Sequence, residues 1–281
     1  MFIITEFGNN CNLQCKSCPT RLGIRPKGFM KPETLKSIVE QELENDNNFN
    51  KERIVLHGYG EPLLSPYLWE NLTYLQSKHF NKVDFSDNCV LMTEEIVERL
   101  CTYNIFNYIK LSLNSSRKEL MERINTGSDF EKVVKNIKMV CDIVKEKGNP
   151  FNIEIQLMHT SQNLDETPQD IRDLIQRDNF TVTECKIMSM LNMDKDNELL
   201  IKGYEFWDGK CQFAETSRMY HWDGDYVGCC VDNTKSQVIC NQKDGIYKPE
   251  NEARKIKMRK ELQNNNYTNL PACLKCEGKR K

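Results

Sequence analysis

Residues 2–18 read Phe2-Ile3-Ile4-Thr5-Glu6-Phe7-Gly8-Asn9-Asn10-Cys11-Asn12-Leu13-Gln14-Cys15-Lys16-Ser17-Cys18. An apolar run that reads as a strand gives way to a polar, glycine-containing stretch, and then to three thiols in a loop. Thiolates are soft ligands suited to iron–sulfur clusters or zinc. Three of them do not close a four-thiolate tetrahedral site. A cubane bound by three cysteines leaves one iron open for a substrate or cofactor, much as a catalytic zinc keeps one open position. A zinc site whose fourth ligand comes from elsewhere in the chain is the other reading of the spacing.

Outward from this loop the chain alternates. Residues 53–57, 82–86, 108–113, 152–158 and 182–188 are strand-like, and residues 32–43, 68–77, 93–102, 117–147 and 168–177 carry helical patterns. Pro32 falls in the first turn of its helix, where a missing N–H costs nothing. Such strand–helix repetition predicts a parallel sheet with helices outside, open or closed into a barrel. About 200 residues is short of the roughly 250 of an eightfold barrel. The expectation is therefore an α/β chain with a partial (β/α)6 TIM-like barrel over residues 1–204.

The texture changes near residue 205. Helical periodicity fades, and Trp207, Gly209, Trp222, Gly224, Gly228 and several cysteines appear. Residues 221–227 read as a hairpin around Asp223-Gly224, and residues 250–263 as a polar, basic helix. Residues 205–281 are expected to form a small cysteine-rich domain. Its thiols are Cys211, Cys229, Cys230, Cys240, Cys273 and Cys276. A four-thiolate site from Cys211, Cys229, Cys273 and Cys276 would staple a domain too small to build much core. Cys230 or Cys240 stand as alternates to Cys229, and a structural zinc ribbon is the competing reading.

Bulk composition bounds the rest. A chain of 281 residues with 39% hydrophobic content can build a real core, and a formal net charge of -2 supplies no basic field for nucleic acid or anionic membrane. No apolar run is long enough to span a bilayer, and the N-terminus lacks the basic and apolar regions of a signal peptide. A cytoplasmic location is expected, where 13 cysteines would be reduced thiols and metal ligation is the usual reason for so many. Cys89, Cys101, Cys141 and Cys185 read as small buried hydrophobes. His57, His79, His159 and His221 show no metal spacing; His57 and His159 lie near strand ends, where a general-base role is open beside a structural one.

The Cys-x3-Cys-x2-Cys spacing of Cys11, Cys15 and Cys18 after a first strand resembles the signature of the radical S-adenosylmethionine (SAM) superfamily. That resemblance implies a [4Fe–4S] cluster on the three thiolates, with the open iron taking the amino and carboxylate groups of SAM. One-electron cleavage then yields a 5′-deoxyadenosyl radical that abstracts a substrate hydrogen. Where many members carry an aromatic before the third cysteine, this chain has Ser17. His57-Gly58-Tyr59-Gly60-Glu61-Pro62 is similar to the family's Gly-Gly-Glu element, which implies that Gly58, Gly60 and Glu61 meet the SAM amino group; an ordinary glycine turn is the bland reading. Ser86-Asp87-Asn88-Cys89 sits where the family often has Thr-Asn-Gly. Ser112 and Asn114, Gln156 and, more remotely, Arg123 are the further SAM-binding candidates, although Ser112 on a buried strand reads equally as a satisfied hydroxyl.

Residues 205–281 resemble the twitch domain, a shortened relative of the SPASM auxiliary-cluster domain. With six cysteines where a full SPASM domain needs about seven, one auxiliary cluster is expected. The resemblance implies a dehydrogenation in which the auxiliary cluster takes the second electron, an external one-electron reductant such as flavodoxin or ferredoxin, and a small-molecule or peptide substrate. The alternative is modification of a ribosomal peptide by epimerisation or crosslinking. The strand that begins at residue 2 is expected to leave no room for an N-terminal leader-binding domain, and Cys230 or Cys240 would return the hydrogen in an epimerase. A third reading is a non-catalytic zinc or electron-transfer module. No catalytic side chain is identified by the sequence.

Overall fold

The computed structural model describes residues 2–186, 197–201, 217–230 and 232–275. From the N-terminus these form β1 (Phe2–Thr5), α1 (Pro32–Asn45), β2 (Arg53–Leu56), α2 (Leu68–Ser77), β3 (Val83–Asp87) and α3 (Glu94–Cys101). There follow β4 (Phe106–Asn114), α4 (Lys118–Ile124), α5 (Phe130–Glu146), β5 (Asn152–His159), α6 (Pro168–Ile175) and β6 (Thr181–Lys186). The C-terminal part holds β7 (Ser217–Tyr220), β8 (Asp225–Val227), β9 (Val238–Asn241), α7 (Pro249–Gln263) and α8 (Pro271–Lys275).

The helices start where local chemistry tells them to. Pro32 opens α1. Thr93 caps α3 by accepting from the Ile96 N–H at 3.3 Å, and Asp129 caps α5 by accepting from Lys132 N–H at 2.7 Å. Thr167 and Asp170 form a reciprocal capping box on α6. The expected helical stretch 117–147 divides into α4 and α5 at Asn125–Asp129, where Gly127 takes φ +99°, a backbone state that glycine adopts freely. Along α5, Val133, Val134, Ile137, Val140, Cys141 and Val144 are buried at three- and four-residue spacing, the stripe of a helix lying on a sheet.

All described strands share one sheet in the order β6-β5-β4-β3-β2-β1-β7-β8-β9. Strands β1 to β6 are parallel neighbours, as the alternation predicts. Successive side chains point to opposite faces. Ile3, Ile54, Leu56, Phe85, Ile109, Leu111, Ile153 and Ile155 join the large core under the helices. The other face is mixed: Ile4, Val55, Met219 and Val227 form an apolar patch, while Lys110 and Glu154 pair at 3.5 Å farther along.

Beyond β6, the residues around the expected boundary at 205 lie outside the described ones. From Ser217 onward the chain extends the same sheet: β7 lies parallel to β1 on its free edge, and β8 and β9 continue antiparallel. The expected Asp223-Gly224 turn joins β7 to β8, with Gly224 at φ +88° and the His221 N–H donating to Asp225 O at 2.9 Å. This places Cys230 against Ile4 of β1, the strand that leads into the Cys11–Cys18 loop.

Candidate active site at the strand tips

The three-cysteine loop follows β1 at the C-terminal edge of the sheet. Its backbone is stitched to the α4 end: Gln14 N–H donates to Thr126 O at 2.8 Å and Lys16 N–H to Ile124 O at 3.3 Å. Leu13 is buried and packs toward Gly127. The thiols share one environment. Burial, and then the neighbouring Cys18 and Cys11, push the Cys15 thiol up to about 12. Burial also raises Cys11, against a Leu13 N–H that donates to its sulfur at 3.5 Å. Thiols held protonated in this way release protons when they bind metal. Among the described residues no three His, Cys, Asp or Glu side chains close on one ion position. A cubane asks for something else, since each thiolate takes its own iron.

The His57–Pro62 turn packs against the lead-in to this loop, and its glycines are what allow the approach. A Cβ at Gly60 would meet Asn10 O at 2.7 Å and Asn9 Cα at 2.8 Å; one at Gly58 would meet the Glu6 side chain at 2.8 Å. Glu61 N–H donates to Asn10 O at 2.8 Å. The Glu61 carboxylate is buried, 3% exposed, and accepts from the Leu63 and Asn88 N–H groups at 3.1 Å each. Burial and the adjacent Asp87 carboxylate raise the Glu61 acid well above the usual range. Asn88 continues the line, its side-chain amide donating to Asn12 Oδ1 at 2.8 Å and standing 4.0 Å from the Cys11 sulfur. The tips of β2 and β3 therefore brace the cluster loop directly.

Glu6, which sequence reading passed over, is the centre of this bracing. It is fully buried, and it pairs with Arg25 through two bonds of 3.0 and 2.6 Å. It also accepts from the Tyr59 N–H and the Trp222 N–H, each at 3.2 Å. One carboxylate thus joins β1, the glycine turn and the C-terminal hairpin. The only signal in the sequence is an acid directly after a strand, which is too common to single out.

The β4 and β5 candidates come together. Asn114, at φ +71°, donates to Asn125 Oδ1 at 2.7 Å and accepts from the Gln156 amide at 2.8 Å. The buried Asn125 also donates to Ser112 O at 3.0 Å. Asn114, Gln156 and Ser112 thus form one polar group around Asn125, a residue the sequence did not mark. Arg123 turns outward to Gln162 Oε1 at 2.6 Å. On the mixed face His57 meets Ser86 Oγ at 3.0 Å, and burial beside Lys110 and Arg53 pushes its imidazole down to about 4, leaving it neutral. His159 sits by Asn163 O at 3.4 Å and Glu184 at 3.7 Å, a structural setting.

Of the C-terminal thiols, Cys211 and Cys276 lie outside the described residues. Cys229 and Cys273 are both half-buried. They are linked through Gln237, whose backbone O accepts from the N–H of Gly228, beside Cys229, at 3.0 Å. The Gln237 side chain accepts from the Cys273 N–H at 3.2 Å. Cys230 packs with Tyr59 against the Ile4–Val55–Met219 patch, and its carbonyl accepts from the Tyr59 hydroxyl at 2.8 Å. Cys240 is buried in the core on the helix side, where burial lifts its thiol to about 11.

The radical SAM superfamily profile matches residues 5–175. "Mycofactocin maturase MftC" of Mycobacterium tuberculosis is 30% identical over 128 residues, 46% of this chain and 31% of that protein. This chain thus spans well under half the length of that curated relative. Two crystal structures share the fold. BtrN in complex with AdoMet and 2-DOIA superposes at a TM-score of 0.63 with 18% identity, over 98% of this chain and 92% of that one. AnSMEcpe with bound AdoMet superposes at 0.65 with 20% identity, over 90% of this chain and 82% of that one. No helix among the described residues is long and apolar enough to cross a membrane. The strand-borne Cys11, Cys15 and Cys18 loop, the glycine turn built against it and the partial barrel behind both agree with the profile: the chain belongs to the radical SAM superfamily, an enzyme family whose cofactors are a [4Fe–4S] cluster and SAM.

Proposed function

We propose that this enzyme oxidises its substrate by two electrons, removing hydrogen from a carbon that bears an alcohol or similar group. Cys11, Cys15 and Cys18 hold the SAM-cleaving cluster, and Cys229 and Cys273, with Cys211 and Cys276, hold an auxiliary cluster. When bound, SAM and its cluster supply the radical that takes a hydrogen atom, and the auxiliary cluster supplies an acceptor for the remaining electron. Gly58, Gly60 and Glu61 on one side, and Ser112, Asn114 and Gln156 on the other, flank the SAM position.

The observation that carries the reading is Tyr59. Its backbone belongs to the turn that braces the cluster loop, while its hydroxyl donates to Cys230 O at 2.8 Å, next to Cys229. The turn proposed to meet SAM is thus hydrogen-bonded to the backbone of the residue next to Cys229, which supports a short route for one electron. Anaerobically reconstituted enzyme, supplied with flavodoxin or ferredoxin and candidate alcohols, should release oxidised product in step with 5′-deoxyadenosine. SAM cleavage that never yields an oxidised product sinks the proposal.

A second reading is a maturase acting on a ribosomal peptide, favoured by the likeness to the mycofactocin maturase. In an epimerase of that kind the returning hydrogen would come from Cys230, which packs on the Ile4–Val55 face of the sheet, and not from Cys240 in the large core under the helices. Deuterium uptake at a peptide α-carbon in heavy water would favour it over dehydrogenation.

A further inference from the structure

Gln237 is joined by hydrogen bonds to both described halves of the auxiliary cysteine set. It is 9% exposed. Its N–H donates to Asp232 Oδ2 at 2.8 Å, and the Asp232 N–H in turn donates to Cys229 O at 3.1 Å. The Asp232 carboxylate is fully buried and further gathers the Thr234 and Ser236 groups at 2.7 to 3.2 Å, which fixes the loop from Cys229 to Gln237. At its other end the Gln237 side chain reaches α8. Oε1 accepts from the Ala272 and Cys273 N–H groups at 2.9 and 3.2 Å. Nε2 lies 3.6 Å from the Cys273 sulfur and 3.7 Å from the Met258 sulfur.

With both acceptor contacts of Oε1 fixed by backbone, the amide cannot flip without placing its NH2 against two N–H donors. The nitrogen is therefore held toward sulfur. A donor aimed at a ligating sulfur stabilises the extra negative charge of a reduced cluster, so it raises the reduction potential. We infer that Gln237 is a positioning residue that sets the potential of the auxiliary cluster through an N–H···S bond to Cys273, making that cluster a better acceptor for the substrate's electron. The inference rests on the auxiliary-cluster reading above.

The test is a redox titration of reconstituted full-length enzyme followed by electron paramagnetic resonance, comparing wild type with Gln237→Leu and Gln237→Glu. Gln237→Glu keeps an acceptor for the Ala272 and Cys273 N–H groups and exchanges the donor for a carboxylate oxygen. Its charge lowers the potential as well, so an unmoved potential in this variant refutes the bond even if Gln237→Leu fails to fold, while the neutral Gln237→Leu isolates the donor. In both variants the auxiliary signal should move to more negative potential. The reduced-to-oxidised ratio at a fixed poise should fall on the order of tenfold, which is about 59 mV for one electron. The signal of the Cys11–Cys15–Cys18 cluster should stay in place. An auxiliary cluster that assembles in both variants with unmoved potential overturns this inference alone. A wild type that assembles only one cluster overturns the auxiliary-cluster reading, and this inference with it.

Discussion

Glu6→Gln should destabilise the enzyme far more than its size suggests. Glu6 is fully buried and Arg25 nearly so, and two bonds join them. Removing one partner of a buried ion pair costs about 3–5 kcal/mol, because the other charge stays behind without its partner. The glutamine carbonyl can still accept from one donor, so the lower end of that range, about 3 kcal/mol, applies. Glu6→Ala also strips the Tyr59 and Trp222 N–H groups of their acceptor. At about 1–3 kcal/mol per unsatisfied buried group it belongs at the upper end or beyond. The paired replacement Glu6→Leu with Arg25→Met removes both charges and should regain most of the loss. Anaerobic urea unfolding followed by tryptophan fluorescence reads all three, with Trp222 itself seated on the pair. Because a buried pair is screened little, the loss should persist at high salt. A Glu6→Gln protein within about 0.5 kcal/mol of wild type, the level of an ordinary surface change, or a double variant no better than the single, would refute the reasoning.

Three further outcomes follow from the same geometry. Gly60→Ala drives a Cβ into backbone at Gly8, Asn9 and Asn10, so it should cost about 1–3 kcal/mol and lower the iron bound at Cys11, read by iron content per chain. Asn125→Ala removes the centre of the Asn114–Gln156–Ser112 group, and SAM affinity measured by equilibrium binding should fall on the order of tenfold for about 1.4 kcal/mol. His221 is fully buried, and among the described residues neither ring nitrogen has a hydrogen-bond partner. Burial, with Arg25 and Lys235 nearby, pushes it down to about 2. The unfolded chain binds this proton below about pH 6.5 while the fold does not, so stability should fall as pH drops from about 6.5, by up to about 1.4 kcal/mol per unit. His221→Phe should flatten that slope in unfolding curves between pH 7.5 and 5.5; an unchanged slope would argue against it.

Periodicity carried the barrel because runs such as Arg53–Leu56, apolar and closed by glycines, and the alternating Asn152–His159 recur between helical stripes. The α2 boundaries at Leu68 and Ser77 were legible to the residue, and the cysteine spacing pointed to the cluster loop because ligand chemistry is local. What was not legible is long-range. The pairing of β7 with β1 joins residues 215 positions apart, and four residues such as Val238–Asn241 carry no pattern that marks a strand. Glu6, Arg25 and Asn125 are polar residues whose importance comes only from what folds around them. The close approach of the 57–62 turn to Glu6 and Asn9, which its glycines permit, is likewise a long-range feature that the sequence pattern does not display.

The central claim is that one chain holds two clusters, with the Tyr59 turn hydrogen-bonded to the Cys229–Cys230 hairpin between their sites. The most direct measurement is Mössbauer spectroscopy with iron and zinc analysis of an anaerobically reconstituted variant in which Cys11, Cys15 and Cys18 are all alanine. The account predicts that this variant cleaves no SAM yet retains an iron–sulfur cluster in its C-terminal part. A variant that binds no iron, or that carries zinc in its place, would contradict it.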